Sequence, residues 1–231
     1  MEVAGFITNS FVDYPGKIAS VVFLGGCDFR CYYCHNYNIF NNNSNTMDFY
    51  EILEKIREQV GFIDGVVITG GEPTLHSGLF KMIPEIRKLG LLVKLDTNGT
   101  SPGIMEKVVN DGLVDYVAMD IKGPLEKYRD LAGVTSAETI ANVTASITFL
   151  KGQDKVPYMF RMTLAPMLNE ADIRRVAALV KGAKCFQLQQ FVPNEFSNSH
   201  KTVLLPYTPD QAVKFGAILS KHVGEFLMRG F

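Results

Sequence analysis

No run of apolar residues in this chain approaches the ~20 that a membrane-spanning helix needs. The N-terminus, MEVAGFITNSFVDYPGK, lacks a basic start followed by an apolar stretch, so it does not read as a secretory signal. An excess of charge is missing too. Lys and Arg number 23 against 24 Asp and Glu, a formal net charge of -1. Nothing global therefore favours nucleic acid or an anionic membrane surface as partner. There is no internal repeat and no linker long enough to divide the chain. What remains is a globular composition, 47% hydrophobic and 20% charged, in 231 residues. A soluble, cytoplasmic protein is expected, built as one domain over residues 1–231 with a sizeable core.

Cysteine is scarce as well, and its distribution is informative. Three of the four cysteines crowd together at Cys27, Cys31 and Cys34, while Cys185 lies far away. A disulfide framework would spread its cysteines, and the cytosol keeps thiols reduced. Clustered thiols in such a chain read as metal ligands. Cys185 opens an apolar run and reads as a small buried hydrophobe.

Short apolar runs alternate with segments of helical period. Residues 18–24, 65–69, 91–95, 115–119, 158–164 and 185–191 read as strands. Between them, Phe49, Ile52, Leu53 and Ile56 share one helical face. Leu79, Met82, Ile83, Ile86 and Leu89 share another, with Gly90 as its stop. Ile140, Val143, Ile147 and Leu150 mark a third, and Ile173, Val176, Ala177 and Val180 a fourth. Residues 41–46, NNNSNT, read as a mobile loop with Thr46 as a helix cap. Strand and helix alternate about six times, which predicts a parallel sheet with helices outside it. A closed eight-unit barrel usually takes about 250 residues. The expected fold class is therefore α/β, a partial (β/α)6 TIM-like barrel with an open sheet.

The unusual residues sit where these strands end. The cysteines follow the first strand, and Gly70, Gly71, Glu72 and Pro73 the second. Asp96, Thr97, Asn98 and Gly99 follow the third, Asp120 and Lys122 the fourth, and Gln189, Gln190 and Phe191 close the sixth. Ligands of parallel α/β sheets bind at the carboxyl ends of the strands. Three and two residues separate the cysteines of CDFRCYYC. A [4Fe–4S] cube usually takes four thiolates, so three would leave one iron open to a second ligand. The plainer alternative is a structural zinc closed by Cys34, His35 or a distant fourth ligand. Gly70 and Gly71 lack a β-carbon and would let backbone approach a ligand, with carbonyls free to accept from an ammonium group; an ordinary turn would use them equally. Asp96, Asp120 and Lys122 could serve a ligand, cap helices or face water. Arg161 interrupts the apolar run YMFRMTL, where a charge is costly unless paired with a ligand carboxylate or a core acid. His35 could stack on a flat ring or cap its loop.

CDFRCYYCHN at 27–36 matches the CxxxCxxC signature of the radical S-adenosylmethionine (SAM) superfamily. GGEP at 70–73, DTNG at 96–99 and DIK at 120–122 resemble the activating enzymes of glycyl radical enzymes. FVDYPGK at 11–17, DYVAMDIKGP at 115–124 and LQQF at 188–191 look most like the anaerobic ribonucleotide reductase activating proteins, cousins of pyruvate formate-lyase activating enzyme. The resemblance runs from about residue 5 to about residue 195. It implies that Cys27, Cys31 and Cys34 hold three irons of a [4Fe–4S] cluster and that SAM chelates the fourth. It places the backbone at Gly70 and Gly71 on the SAM amino group, with Glu72 and Pro73 shaping that turn. Asp96, Thr97, Asp120 and Lys122 would surround the methionyl end, Lys122 balancing the carboxylate. Asp96 and Asp120 could also hold a hard, monovalent cation. Asn98 would meet the ribose, and the backbone after Cys34, with His35, the adenine. The implied partners are a glycyl radical enzyme as protein substrate and a one-electron donor such as flavodoxin or ferredoxin. The chain lacks cysteines for the ferredoxin-like insert of many activases, which implies a single cluster. The LQQF stretch has no histidine where the pyruvate formate-lyase activase has one, so no role is carried over there and Gln189 is left as a candidate. Two other readings stay open: a radical SAM enzyme acting on a small molecule such as a pterin or deazaguanine precursor, and a non-catalytic iron–sulfur or zinc module.

Overall fold

The computed structural model describes residues 2–37, 46–193 and 204–231. Its sheet has eight strands: β1 (Gly5–Tyr14), β2 (Lys17–Leu24), β3 (Gly65–Gly70), β4 (Leu92–Thr97), β5 (Tyr116–Asp120), β6 (Tyr158–Leu164), β7 (Cys185–Gln190) and β8 (Glu225–Arg229). They lie side by side in chain order, β8 at one edge and β1 at the other. β1 runs antiparallel to β2, and the pairs β2–β3, β3–β4, β6–β7 and β7–β8 are parallel. The helices are α1 (Phe49–Arg57), α2 (Leu79–Arg87), α3 (Pro102–Asn110), α4 (Tyr128–Ala132), α5 (Ala137–Gly152), α6 (Glu170–Leu179) and α7 (Pro209–Leu219). The class is α/β, the partial (β/α)6 barrel with helices outside.

β2 to β7 are the six strands read from the sequence. The two edge strands carry no apolar signature. In β1 only Ser10 and Tyr14 are buried, and β8 is mostly exposed. β1 returns into β2 through the Tyr14–Lys17 turn, where Gly16 takes a positive φ of 67° that an L side chain rarely adopts. This hairpin is the FVDYPGK motif.

Helix faces follow the periodicity. Phe49, Ile52, Leu53 and Ile56 of α1 are all buried. The cap of α1 is Asp48, whose carboxylate accepts from the Tyr50 N–H at 2.8 Å, and not Thr46. A short pairing of Glu2–Val3 with Met47–Asp48 places that cap. Residues 41–45 of the expected mobile loop lie outside the described residues. α2 stops at Arg87, three residues before the expected stop at Gly90. α6 opens with a reciprocal capping box between Asn169 and Asp172.

The chain divides into two compact units. The first comprises Met1–Asp28, Asn36–Ala118 and Gln153–Pro157, and holds β1 to β4 with α1 to α3. Its core includes Val66, Val67 and Ile68 of β3 and Val93 and Leu95 of β4, all inaccessible to solvent. The second comprises Phe29–His35, Met119–Gly152 and Tyr158–Phe231, with β6 to β8 and α4 to α7. Phe160, Phe186, Leu188, Val143, Ile173 and Val176 are buried there.

Candidate active site

In the first unit, Gly70 and Gly71 lead out of β3. A β-carbon on Gly70 would stand 2.3 Å from the Leu24 carbonyl oxygen, and one on Gly71 1.7 Å from that of Gly26. The Gly71 and Glu72 N–H groups donate to those two carbonyls at 2.8 and 2.9 Å. The glycines are thus required by backbone packing against residues 24–26, directly before Cys27. Gly70 also takes a positive φ of 123°. Its carbonyl accepts from Asn36 Nδ2 at 3.0 Å.

Glu72 is fully buried and binds its own unit. Its carboxylate accepts from the Thr74 N–H (3.1 Å) and hydroxyl (2.5 Å), the Thr97 hydroxyl (2.7 Å) and the Asn98 N–H (2.6 Å). It therefore joins the GGEP turn to the DTNG turn. Burial pushes its carboxyl up to about 7, against the pull of the bonds from Thr74, Asn98 and Thr97. Thr97, expected at the methionyl end, spends its hydroxyl on Glu72 and accepts from the Gly99 N–H at 3.1 Å.

Asn98, expected at the ribose, is also engaged within the protein. Its Oδ1 accepts from the Thr100 N–H and hydroxyl at 3.0 and 2.9 Å. Its Nδ2 donates to Asp28 Oδ1 at 2.7 Å and reaches Cys27 Sγ at 3.8 Å. Asp96 forms a buried ion pair with Lys94 at 3.2 Å. The Lys94 ammonium also donates to the Asp13 carbonyl and sits 6.0 Å from the Tyr116 ring centroid. Lys94 escaped the sequence reading, although a charge inside LLVKLDT is the same anomaly as Arg161 inside YMFRMTL. It accounts for the FVDYPGK motif: the Asp13 carbonyl of that hairpin is a ligand of the buried ammonium.

The second unit carries Cys31, Cys34, His35, Asp120, Lys122 and Arg161. The Cys34 N–H donates to the Cys31 carbonyl at 3.1 Å, closing a turn between the two thiols. His35 is exposed. Arg161 chose the core acid: its Nε donates to Asp120 Oδ1 at 2.9 Å, and Lys122 Nζ donates to Asp120 Oδ2 at 3.0 Å. Burial alone would push Asp120 up, but Arg161 and Lys122 outweigh it and hold the carboxyl at about 2. Burial would likewise lower Lys122; Asp120, then the Cys31 sulfur, keep it well above its ordinary value. Tyr33, between the two cysteines, is 4% exposed, and its hydroxyl has no hydrogen-bond partner among the described residues. The Tyr128 hydroxyl accepts from the Lys122 N–H at 3.2 Å.

All four cysteines are free thiols. Among the described residues, no three His, Cys, Asp or Glu side chains gather as they would round a single metal ion. A cube instead distributes its thiolates over separate irons. The donor chemistry suits it: sulfur ligands, an amide N–H near Cys27 and an ammonium, that of Lys122, which attracts the Cys31 sulfur electrostatically. Two cations on one carboxylate leave the Asp120 cluster with one positive charge in excess, which suits the SAM carboxylate. A monovalent cation fits less well. Asp96 is already paired with Lys94, and Asp120 with Lys122 and Arg161.

Residues 21–180 match the family model of the Radical SAM superfamily. The chain belongs to that superfamily. A candidate glycyl-radical enzyme activating enzyme of Methanocaldococcus jannaschii is 32% identical over 231 residues, covering 98% of this chain and 95% of the relative. The pyruvate formate-lyase-activating enzyme of Clostridium pasteurianum is 28% identical over 207 residues, 85% of this chain and 77% of the relative. The crystal structure of Streptococcus suis SuiB bound to S-adenosylmethionine matches the fold with a TM-score of 0.68 at 12% identity, over 91% of this chain and 52% of that one. The protein is thus a radical SAM enzyme, grouped with the glycyl-radical-enzyme activating enzymes. Membership brings a [4Fe–4S] cluster and SAM as the family's cofactors, and it displaces the non-catalytic reading of the cysteine loop. No helix among the described residues is long and apolar enough to cross a membrane.

Proposed function

We propose that residues 1–231 act as one cytoplasmic radical SAM domain that activates a glycyl radical enzyme, an anaerobic ribonucleotide reductase or a relative of it. Cys27, Cys31 and Cys34 would hold three irons of the [4Fe–4S] cluster, as their spacing in one loop suggests. When bound and reduced by an external donor such as flavodoxin or ferredoxin, the cluster supplies the electron that cleaves SAM to methionine and a 5'-deoxyadenosyl radical, which takes hydrogen from a glycine α-carbon of the partner. The chain's own groups orient and neutralise. Lys122, held by Asp120, would meet the SAM carboxylate, with Arg161 fixing the second oxygen of Asp120. The backbone at Gly70 and Gly71 would meet the amino group, stiffened by the bonds from residues 71 and 72 to residues 24 and 26. Glu72 and Thr97 are positioning residues for that turn, and His35 and the backbone after Cys34 would approach the adenine. No cation beside SAM is included, because both carboxylates offered for one are already ion-paired.

The observation that carries this reading is 32% identity with a candidate activating enzyme across nearly the whole of both chains. Its test is anaerobic reconstitution with iron and sulfide, followed by reductant and SAM. The reconstituted protein is expected to form 5'-deoxyadenosine, and Cys31→Ala to form none. Addition of an anaerobic ribonucleotide reductase should then yield a glycyl radical signal by electron paramagnetic resonance. Uptake of zinc alone, or product that does not depend on Cys31, would sink the proposal.

A further inference from the structure

The Asn98 side chain is 95% buried, and every hydrogen-bonding position of its amide is used within the first unit. Oδ1 takes two donors, both from Thr100. Nδ2 has two hydrogens, one directed to Asp28 Oδ1 at 2.7 Å, the other toward Cys27 Sγ at 3.8 Å. Because Oδ1 faces an N–H and Nδ2 faces a carboxylate, the amide has one sensible orientation. The backbone is pinned too, since the Asn98 N–H donates to buried Glu72 at 2.6 Å. A side chain fixed at this many points carries its N–H to the sulfur at a set place. Such precision is more than a turn residue needs.

We infer that Asn98 is a positioning residue for the iron–sulfur cluster: its amide donates to Cys27 Sγ and sets the cluster's reduction potential. The inference rests on the proposal that Cys27 is a cluster ligand. The physics is direct. Reduction adds negative charge that spreads onto the ligand sulfurs. A hydrogen-bond donor at a sulfur stabilises the reduced form and raises the potential, and hydrogen bonding to sulfur is among the terms that set potentials in such clusters. The same amide holds the neighbouring Asp28 carboxylate by its other hydrogen, and so limits the opposing effect of that negative charge. This gives the asparagine of DTNG a role distinct from the ribose contact that its family resemblance suggested.

The test is a redox titration of the reconstituted full chain without SAM, followed by electron paramagnetic resonance, with iron and sulfide quantified. Asn98→Ala should shift the midpoint to more negative potential. The expected size is about threefold to tenfold in the ratio of reduced to oxidised cluster, where tenfold is 59 mV for one electron. Asn98→Asp should shift it further the same way, because it replaces the donor by an anion. Thr100→Val keeps Asn98 but removes one of the two donors to its Oδ1, and should give a smaller negative shift. Unchanged potentials in Asn98→Ala and Asn98→Asp at full iron content overturn the inference. Should neither variant hold a cluster, Thr100→Val decides, and an unchanged potential there overturns it. Wild-type protein that assembles no [4Fe–4S] cluster, or one indifferent to Cys27→Ser, defeats the underlying proposal instead.

Discussion

At Glu72 burial and hydrogen bonding act in opposite directions, and burial is the larger. The carboxyl titrates near 7 in the folded chain against 4.5 in the ordinary case. The folded state therefore binds the proton more tightly. Its contribution to stability is full below about pH 4.5 and is lost as pH rises through 7. A shift of this size corresponds to about 3 kcal/mol. Denaturant titrations at pH 5 and pH 8 should show that loss in the wild type, and Glu72→Gln should not share it. Gln cannot accept from the Asn98 N–H with its amide nitrogen, so Glu72→Gln should also be about 1–3 kcal/mol weaker at pH 5. Equal pH dependence in the two proteins would show that Glu72 titrates elsewhere. Asp120 is the opposite case. Held at about 2, it adds stability present above about pH 4 and lost as pH falls toward 2.

At the scale of elements, the β1–β2 hairpin and β4 are joined by one buried cation. Lys94 is 2% exposed and pairs with Asp96 while donating to the Asp13 carbonyl. Removing one member of a buried pair leaves the other charge in a poor solvent, at a cost of about 3–5 kcal/mol. Lys94→Met should therefore lower the melting temperature by roughly 10 °C. The double variant Lys94→Met/Asp96→Asn should recover most of that loss. Thermal denaturation of the two single variants and the double variant measures the coupling. If the losses simply add, the pair is not a unit. Elements also differ in how legible they are. α1 and α6 show an apolar face at helical spacing because each buries one face in its unit. β1 shows nothing comparable, since an antiparallel edge strand with only Ser10 and Tyr14 buried has no continuous apolar face to display.

For the whole molecule, the proposed activation of a partner by hydrogen abstraction makes a stoichiometric demand. One SAM cleaved removes one hydrogen atom, so 5'-deoxyadenosine and glycyl radical should accumulate in about equal amounts when partner is in excess. Chromatographic quantitation of the nucleoside against spin counting tests this. Nucleoside released in full without any protein partner, on addition of a pterin or deazaguanine precursor, would move the enzyme to the small-molecule branch.

What the sequence by itself determined was the class of chemistry and the order of the strands' chemical ends. Cysteine spacing, GGEP, DTNG and DIK are local patterns, and the six central strands are apolar runs, so both are legible along the chain. The partners of those residues were decided only by tertiary structure. At Gly70 and Gly71 nothing local reveals the Leu24 and Gly26 carbonyls lying against them. Asp120 and Arg161 lie 41 residues apart, and Asn98 and Asp28 lie 70 apart. Hydrogen bonds and charge pairs depend on distance in space. Only the folded chain shows which polar side chain answers which, and therefore which of them remain free to serve a ligand.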